Sequence, residues 1–102
     1  MRYVLQVTSR GMPGREAEYD RWYGDVHVGE VLALPGFNAC ERYLRLDAEG
    51  KPTGEQVALY TVVTDDPASL LRSLFDATPT FVLTDAIDPA SVRFEFLRPS
   101  GG

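Results

Sequence analysis

The sequence predicts a small α+β protein with the element order β-α-β-β-α-β. Apolar and β-branched residues recur in four separate runs typical of strands, and helix signals occupy two stretches between them. A chain of 102 residues fits one domain. We expect that domain to span residues 1–98, and the proline-, serine- and glycine-rich end, 99–102, is typical of a disordered tail.

The first strand and the first helix are predicted near the N-terminus. Tyr3–Thr8 is rich in β-branched and aromatic residues, which favours a strand. Helical signals follow from about Arg15 to about Leu34. Because glycine in a helix interior costs about 1 kcal/mol relative to alanine, we expect this helix to break between Gly29 and Pro35. Spacings of three and four residues place one set on a common face: Tyr19, Trp22, Tyr23, Val26, His27 and Glu30.

Two further strands are predicted on either side of a polar hairpin loop at 47–54. They are Phe37–Leu46 and Gln56–Thr64. In the second of them, the run Val57–Val63 is apolar except for Thr61. A strand with one face in water alternates apolar and polar residues, so this run predicts a strand that is covered on both faces.

A second helix and a last strand complete the order. Asp66 is expected to cap the helix, with Pro67 at its first position and Pro79 ending it. Residues 80–89 are compatible with a loop or a short strand, and Ser91–Leu97 alternates as a strand does. The helix carries an apolar stripe made of Leu70, Leu71, Leu74 and Phe75.

This order is the ferredoxin-like split motif, a four-stranded antiparallel sheet with both helices on one face. The other face of the sheet is then left without cover, although the third strand is apolar on both sides. A second copy of the same sheet is the simplest cover, which predicts a two-fold homodimer.

One segment resembles a known superfamily. Residues 19–27, followed by 31–37 and then Arg42-Tyr43, are similar to the dimeric α+β barrel superfamily, and most similar to its EthD-like branch. That branch has an aromatic residue four positions before a helix-one histidine and a Pro-Gly-aromatic start to strand two, which here are Tyr23, His27 and 35–37. Many members place tryptophan four residues before the histidine, whereas here Trp22 lies five before it.

The resemblance implies the dimeric barrel fold more specifically than it implies a function. The superfamily includes isomerases, cyclases, monooxygenases and haem enzymes. Haem binding in some members uses a histidine on another element, so the resemblance does not assign haem to His27.

Charge and composition exclude several classes of function. A net charge of −5 argues against nucleic acid and against an anionic membrane surface. No apolar run approaches the ~20 residues of a membrane-spanning helix, and residues 1–10 have no signal-peptide pattern, so a cytoplasmic location is expected. The single cysteine, Cys40, excludes an internal disulfide and is expected to be a small buried apolar residue. With one histidine, one cysteine and no glycine-rich phosphate loop, we expect no metal and no cofactor.

His27 is the best candidate for a general acid or base, because it is the only imidazole in the chain. Glu30 and Tyr23 are its neighbours on a helix and could orient it. The alternative is a histidine that only packs against the sheet. Tyr60 is the first choice for hydrogen bonding to a developing oxyanion, and Tyr43 is a second tyrosine that could face the same pocket.

These residues predict a cofactor-independent isomerase, cyclase or lyase that acts on a small apolar, aromatic or polyketide-like molecule. A non-catalytic binding or accessory protein and a cofactor-free monooxygenase are the alternatives. Strand alternation places Arg42 and Tyr43 on different faces of the second strand. Arg42 could bind an acidic substrate there, or pair with a charge on a neighbouring strand. Substrate contacts are predicted for Trp22, Tyr23, Tyr43, Leu71 and Phe75.

Overall fold

The computed structural model describes residues 1–100 and contains the predicted four-stranded antiparallel sheet. Its strands are β1 (Arg2–Ser9), β2 (Phe37–Leu46), β3 (Pro52–Val63) and β4 (Arg93–Leu97). They lie in the order β2-β3-β1-β4, with each neighbouring pair antiparallel. This is the ferredoxin-like arrangement that the order of elements predicts.

The first helix is widened in its middle. It consists of α1 (Glu16–Trp22), a π-helical turn (Tyr23–His27) and α2 (Val28–Leu32). The prediction of a break between Gly29 and Pro35 is wrong about the position of the irregularity. Gly29 lies inside regular α2, and the helix departs from α geometry one turn earlier.

A sharp turn after α2 depends on glycine. Gly36 has φ +89°, in the left-handed region that favours glycine. A Cβ at this position would lie 2.8 Å from Leu70 Cδ1 and 3.1 Å from the Val63 carbonyl oxygen. The close approach brings the start of β2 against both the end of β3 and the second helix.

The second helix, α3 (Pro67–Ala77), begins as predicted. The Asp66 side chain accepts a hydrogen bond from the Ser69 N–H at 3.1 Å. A 3₁₀ turn (Thr78–Thr80) follows it, and a second one (Pro89–Ser91) precedes β4. Between these turns the chain is a loop, attached to the sheet by an isolated bridge between Gly11 and Ile87.

The core lies between the helices and one face of the sheet. Leu5 and Tyr60, paired on neighbouring strands, are buried there with Tyr19 and Val31 of the first helix. Alternation places Leu59 on the opposite face, which carries no helix, and Leu59 is only partly covered there. The monomer therefore contains the bare, partly apolar sheet face that the non-alternating third strand predicts.

Among residues 1–100 no helix combines the length and the apolarity that crossing a membrane requires. Pro99 and Ser100, at the start of the predicted tail, are exposed. Gly101 and Gly102, its last two residues, lie outside the described residues.

Candidate functional site

A cavity of about 180 Å³ lies between the helix-covered side of the sheet, the first helix, α3 and the loop that precedes β4. Its walls are mainly aliphatic and aromatic. Polar atoms reach it from a few side chains, among them Ser9, Tyr60 and His27. An apolar chamber with few polar groups is the usual form of a small-molecule site.

His27 is enclosed by aromatic rings. The indole of Trp22 stacks on the imidazole with a centroid separation of 4.8 Å. Tyr23 and Phe81 meet the imidazole edge to face, at 5.0 and 5.7 Å. Burial lowers the pKa of His27, and the nearby Glu30 carboxylate partly offsets this by raising it. The imidazole is therefore neutral at pH 7 and able to accept a proton.

The π turn explains how Trp22 reaches His27. On an α-helix, neighbouring side chains are three and four residues apart. A π turn has i→i+5 hydrogen bonds and makes residues five apart neighbours. Because the turn spans Tyr23–His27, Trp22 covers the imidazole although it lies five residues before it.

Two buried phenols form a hydrogen-bonded pair at the cavity. The hydroxyl oxygens of Tyr23 and Tyr60 are 2.9 Å apart. Desolvation is the main cause that raises the pKa of both phenols well above the ordinary value, so both are neutral donors at physiological pH. One hydroxyl donates to the other, which leaves one proton of the pair for a further acceptor.

A second buried hydroxyl pair joins the sheet to α1. The oxygens of Ser9 and Tyr19 are 2.7 Å apart, and both residues line the cavity. Sequence reasoning did not find this pair, because Tyr19 has the spacing of a core residue and Ser9 lies at the end of a strand.

Arg42 lies on the face opposite Tyr43, as strand alternation predicts, and this is the helix side of the sheet, but Arg42 is bound outside the cavity. It donates to Asp20 Oδ1 at 2.6 Å and to Gln56 Oε1 at 3.0 Å. Its guanidinium carbon lies 4.9 Å from the centre of the Tyr23 ring. Arg42 therefore supports the Tyr23 ring from behind and does not contribute to the cavity wall.

A loop closes one side of the cavity and is fastened to the first helix at Val82. The Val82 N–H donates to Glu30 Oε2 at 2.8 Å. Trp22 Nε1 donates to the Val82 carbonyl oxygen at 2.9 Å. Further along, Arg15 donates to Asp85 Oδ1 at 2.8 Å. Sequence reasoning missed this wall because a loop has no periodicity to reveal which residues face inward.

Five predicted site residues line the cavity, and two do not. Tyr43 lies on the helix-free face, is 49% exposed and donates its hydroxyl to Glu41 at 2.7 Å. Its placement follows from alternation, because Arg42 occupies the helix side. Leu71 is on the cavity-facing stripe of α3 but one turn too early, so it packs against the core. The five that line it are Trp22, Tyr23, His27, Tyr60 and Phe75.

No group of three or more potential metal-ligating side chains occurs within residues 1–100. The side chains that line the cavity are mainly aromatic, aliphatic and hydroxyl-bearing. They suit an organic ligand with an apolar body and one or two polar atoms.

The fold and cavity define a ferredoxin-like α+β protein with a ligand-sized chamber under its helices. No protein-family profile and no curated protein matches the sequence. Two of the solved structures that share the fold are similar over nearly the whole of this chain. One is an ethyl tert-butyl ether D (EthD) family protein from Bacillus halodurans, with a TM-score of 0.61, 14% identity, and coverage of 95% of this chain and 98% of that one. The other is a protein from Agrobacterium tumefaciens, with a TM-score of 0.63, 18% identity, and coverage of 99% and 95%.

Proposed function

We propose that this protein is a cofactor-independent enzyme of the isomerase, cyclase or lyase type, acting on a small and largely apolar molecule. The observation that carries the proposal is that the chain's only imidazole lines the same apolar cavity as a buried pair of neutral phenols. A base and hydrogen-bond donors within one water-poor chamber are the groups that proton transfer beside a carbonyl requires.

The size of the cavity favours a single ring. An apolar cavity of about 150 Å³ is enough to bind benzene, and the present one measures about 180 Å³. A polycyclic ligand would need the loop at Val82 to move away from the first helix. Aryl ketones and phenols of one ring are therefore the substrates to test first.

In the proposed reaction His27 removes a proton from the carbon next to a carbonyl. The lowered pKa of His27 keeps the base unprotonated at neutral pH. As negative charge develops on the carbonyl oxygen, the free proton of the Tyr23–Tyr60 pair forms a hydrogen bond to it. Returning the proton to another position gives an isomerase, and loss of a leaving group gives a lyase.

A non-catalytic binding or accessory protein is the second candidate. The observation that favours it is the aromatic enclosure of His27, because three rings already pack against the imidazole. In this case the cavity holds a ligand without chemistry. We further propose a homodimer through the helix-free sheet face, supported by the partly covered Val57 and Leu59 on that face, and a cytoplasmic location, in keeping with a single free cysteine.

A test that does not require the natural substrate is hydrogen–deuterium exchange at the methyl group of acetophenone in D₂O. If His27 is the base, His27→Ala should lower the catalysed exchange rate by about 10²–10⁴-fold. In the native protein the rate should rise with pH through one ionisation below the ordinary histidine pKa, because burial lowers the pKa of His27. Melting curves check that the variant is folded.

Asp25→Ala is the matched control, since Asp25 is exposed and lies in the same turn of the helix. Its exchange rate should equal that of the native protein. Acetophenone that binds, as shown by shifts of the His27 imidazole resonances, without catalysed exchange would favour the binding protein. Equal exchange by native protein and His27→Ala would remove His27 from the mechanism.

A further inference from the structure

Two buried polar atoms near the cavity face each other without a partner. They are Nδ1 of His27 and Oε1 of Glu30, and neither makes a hydrogen bond within residues 1–100. Their separation is 4.0 Å, and each side chain is 21% exposed. An unpaired buried polar atom lowers stability because it has lost its hydrogen bonds to water, so two such atoms side by side call for an explanation.

The separation points to a direct contact. A distance of 4.0 Å exceeds that of a hydrogen bond but is shorter than the ~4.6 Å that a bridging water spans with two bonds of about 2.8 Å at a tetrahedral angle. The other carboxylate oxygen of Glu30 is already held by the Val82 N–H at 2.8 Å. A small rotation of the anchored carboxylate is enough to bring Oε1 to Nδ1.

No other group competes for Nδ1 among the side chains packed on the imidazole. Trp22 presents its ring face, and its N–H is bound to the Val82 carbonyl. The Tyr23 hydroxyl is paired with Tyr60. Phe81, from the loop, has no polar atom. The Glu30 carboxylate raises the pKa of the imidazole.

We propose that Glu30 is a positioning residue, which accepts a hydrogen bond from the Nδ1–H of His27 and so leaves Nε2 as the basic nitrogen. The inference rests on the proposed function, in which His27 is the base. The tautomer of a neutral histidine is set by the hydrogen bond that its other nitrogen makes. Because Glu30 also binds Val82, one carboxylate fixes both the imidazole and the cavity-closing loop.

The tautomer can be measured directly, because the chain has a single histidine. In ¹⁵N-labelled native protein above the pKa of His27, imidazole chemical shifts should show the Nδ1–H form. Glu30→Gln should reverse it. The amide oxygen can still accept from Val82, which turns the amide NH₂ toward Nδ1 and moves the imidazole proton to Nε2.

The same variant should lower the acetophenone exchange rate by about 10²–10⁴-fold with little change in KM, since the ring then presents the wrong tautomer. Its His27 should also titrate at a lower pH, because the Glu30 charge raises the pKa of His27. Asp25→Asn is the control: it removes one negative charge from the same helix and should leave tautomer and titration unchanged.

An Nε2–H tautomer in the native protein would overturn the inference without any variant, so it remains testable if Glu30→Gln does not fold. An unchanged tautomer in Glu30→Gln would also overturn it. The proposed function fails separately: His27→Ala with native exchange rates removes the base whatever the tautomer is.

Discussion

At the scale of single residues, the paired hydroxyls of Tyr23 and Tyr60 should behave as one unit. Replacing either by phenylalanine leaves the other hydroxyl buried without its partner, so each single variant should lose about 1–3 kcal/mol in free energy of unfolding. The double variant removes both polar groups, and it should lose no more than the worse single one. Urea unfolding at one fixed protein concentration measures this.

Tyr43→Phe is the control for the loss of a phenol. Tyr43 is exposed on the helix-free face of the single chain, so the change should stay within about 0.5 kcal/mol when it is measured in a monomeric Leu59→Arg background. Additive losses in Tyr23→Phe and Tyr60→Phe would show that the two hydroxyls do not depend on each other.

Residue-scale prediction succeeded where one element decides the environment. Helical spacing was sufficient to place Tyr23 and His27 on one face, whereas Trp22 reaches the imidazole through the π turn. Whether Tyr43 lines the cavity depends on which face of β2 the helices cover. Whether Leu71 lines it depends on where along α3 the cavity ends. Neither is encoded in a local pattern, because each follows from packing between distant segments.

At the scale of elements, the first helix contains a glycine, Gly29, that its conformation does not require. Gly29 lies in regular α2, and a Cβ there would meet no atom within 4 Å. Gly29→Ala should therefore raise the free energy of unfolding by about 1 kcal/mol through helix propensity. Thermal and urea unfolding measure the change.

Gly36→Ala provides the opposite case. A positive φ and a Cβ position 2.8 Å from Leu70 Cδ1 make alanine strained there, so this variant should be less stable than the native protein. Destabilisation by Gly29→Ala would contradict the continuous α2 and restore the break expected from the sequence.

The π turn explains the limit of prediction at this scale. Local signals were sufficient to predict where α3 begins, because its cap residue and its first proline are both next to that end in the sequence. The widened turn at Tyr23–His27 has no such signal. Helix propensity predicts that the helix is weakest at its glycines. The helix is instead irregular beside the cavity, where the packing of Trp22 on His27 outweighs helix propensity.

At the scale of the whole molecule, the bare sheet face should bring two chains together. Leu59 lies at the centre of that face, paired with Gln6 and Glu41 on the neighbouring strands. A stable interface buries at least ~1,000 Å², and a bulky arginine at its centre would keep the two sheets from packing closely and add a charge that is costly to desolvate even beside Glu41. Light scattering at micromolar concentration should show a native dimer and a Leu59→Arg monomer.

Leu44→Arg is the matched control, because Leu44 is 58% exposed but lies on the helix side of the same sheet. It should remain dimeric. A native protein that is monomeric at micromolar concentration would contradict the homodimer and leave the apolar face without cover.

The stacking of the only tryptophan on the only histidine gives the protein an intrinsic optical reporter. A protonated imidazole quenches the fluorescence of an indole in contact with it, whereas a neutral one does so far less. Emission from Trp22 should therefore follow the charge on His27 as pH changes. It should also respond when a ligand enters the cavity that both rings line. Binding and protonation at this site can be followed in the unlabelled protein, before any substrate is known.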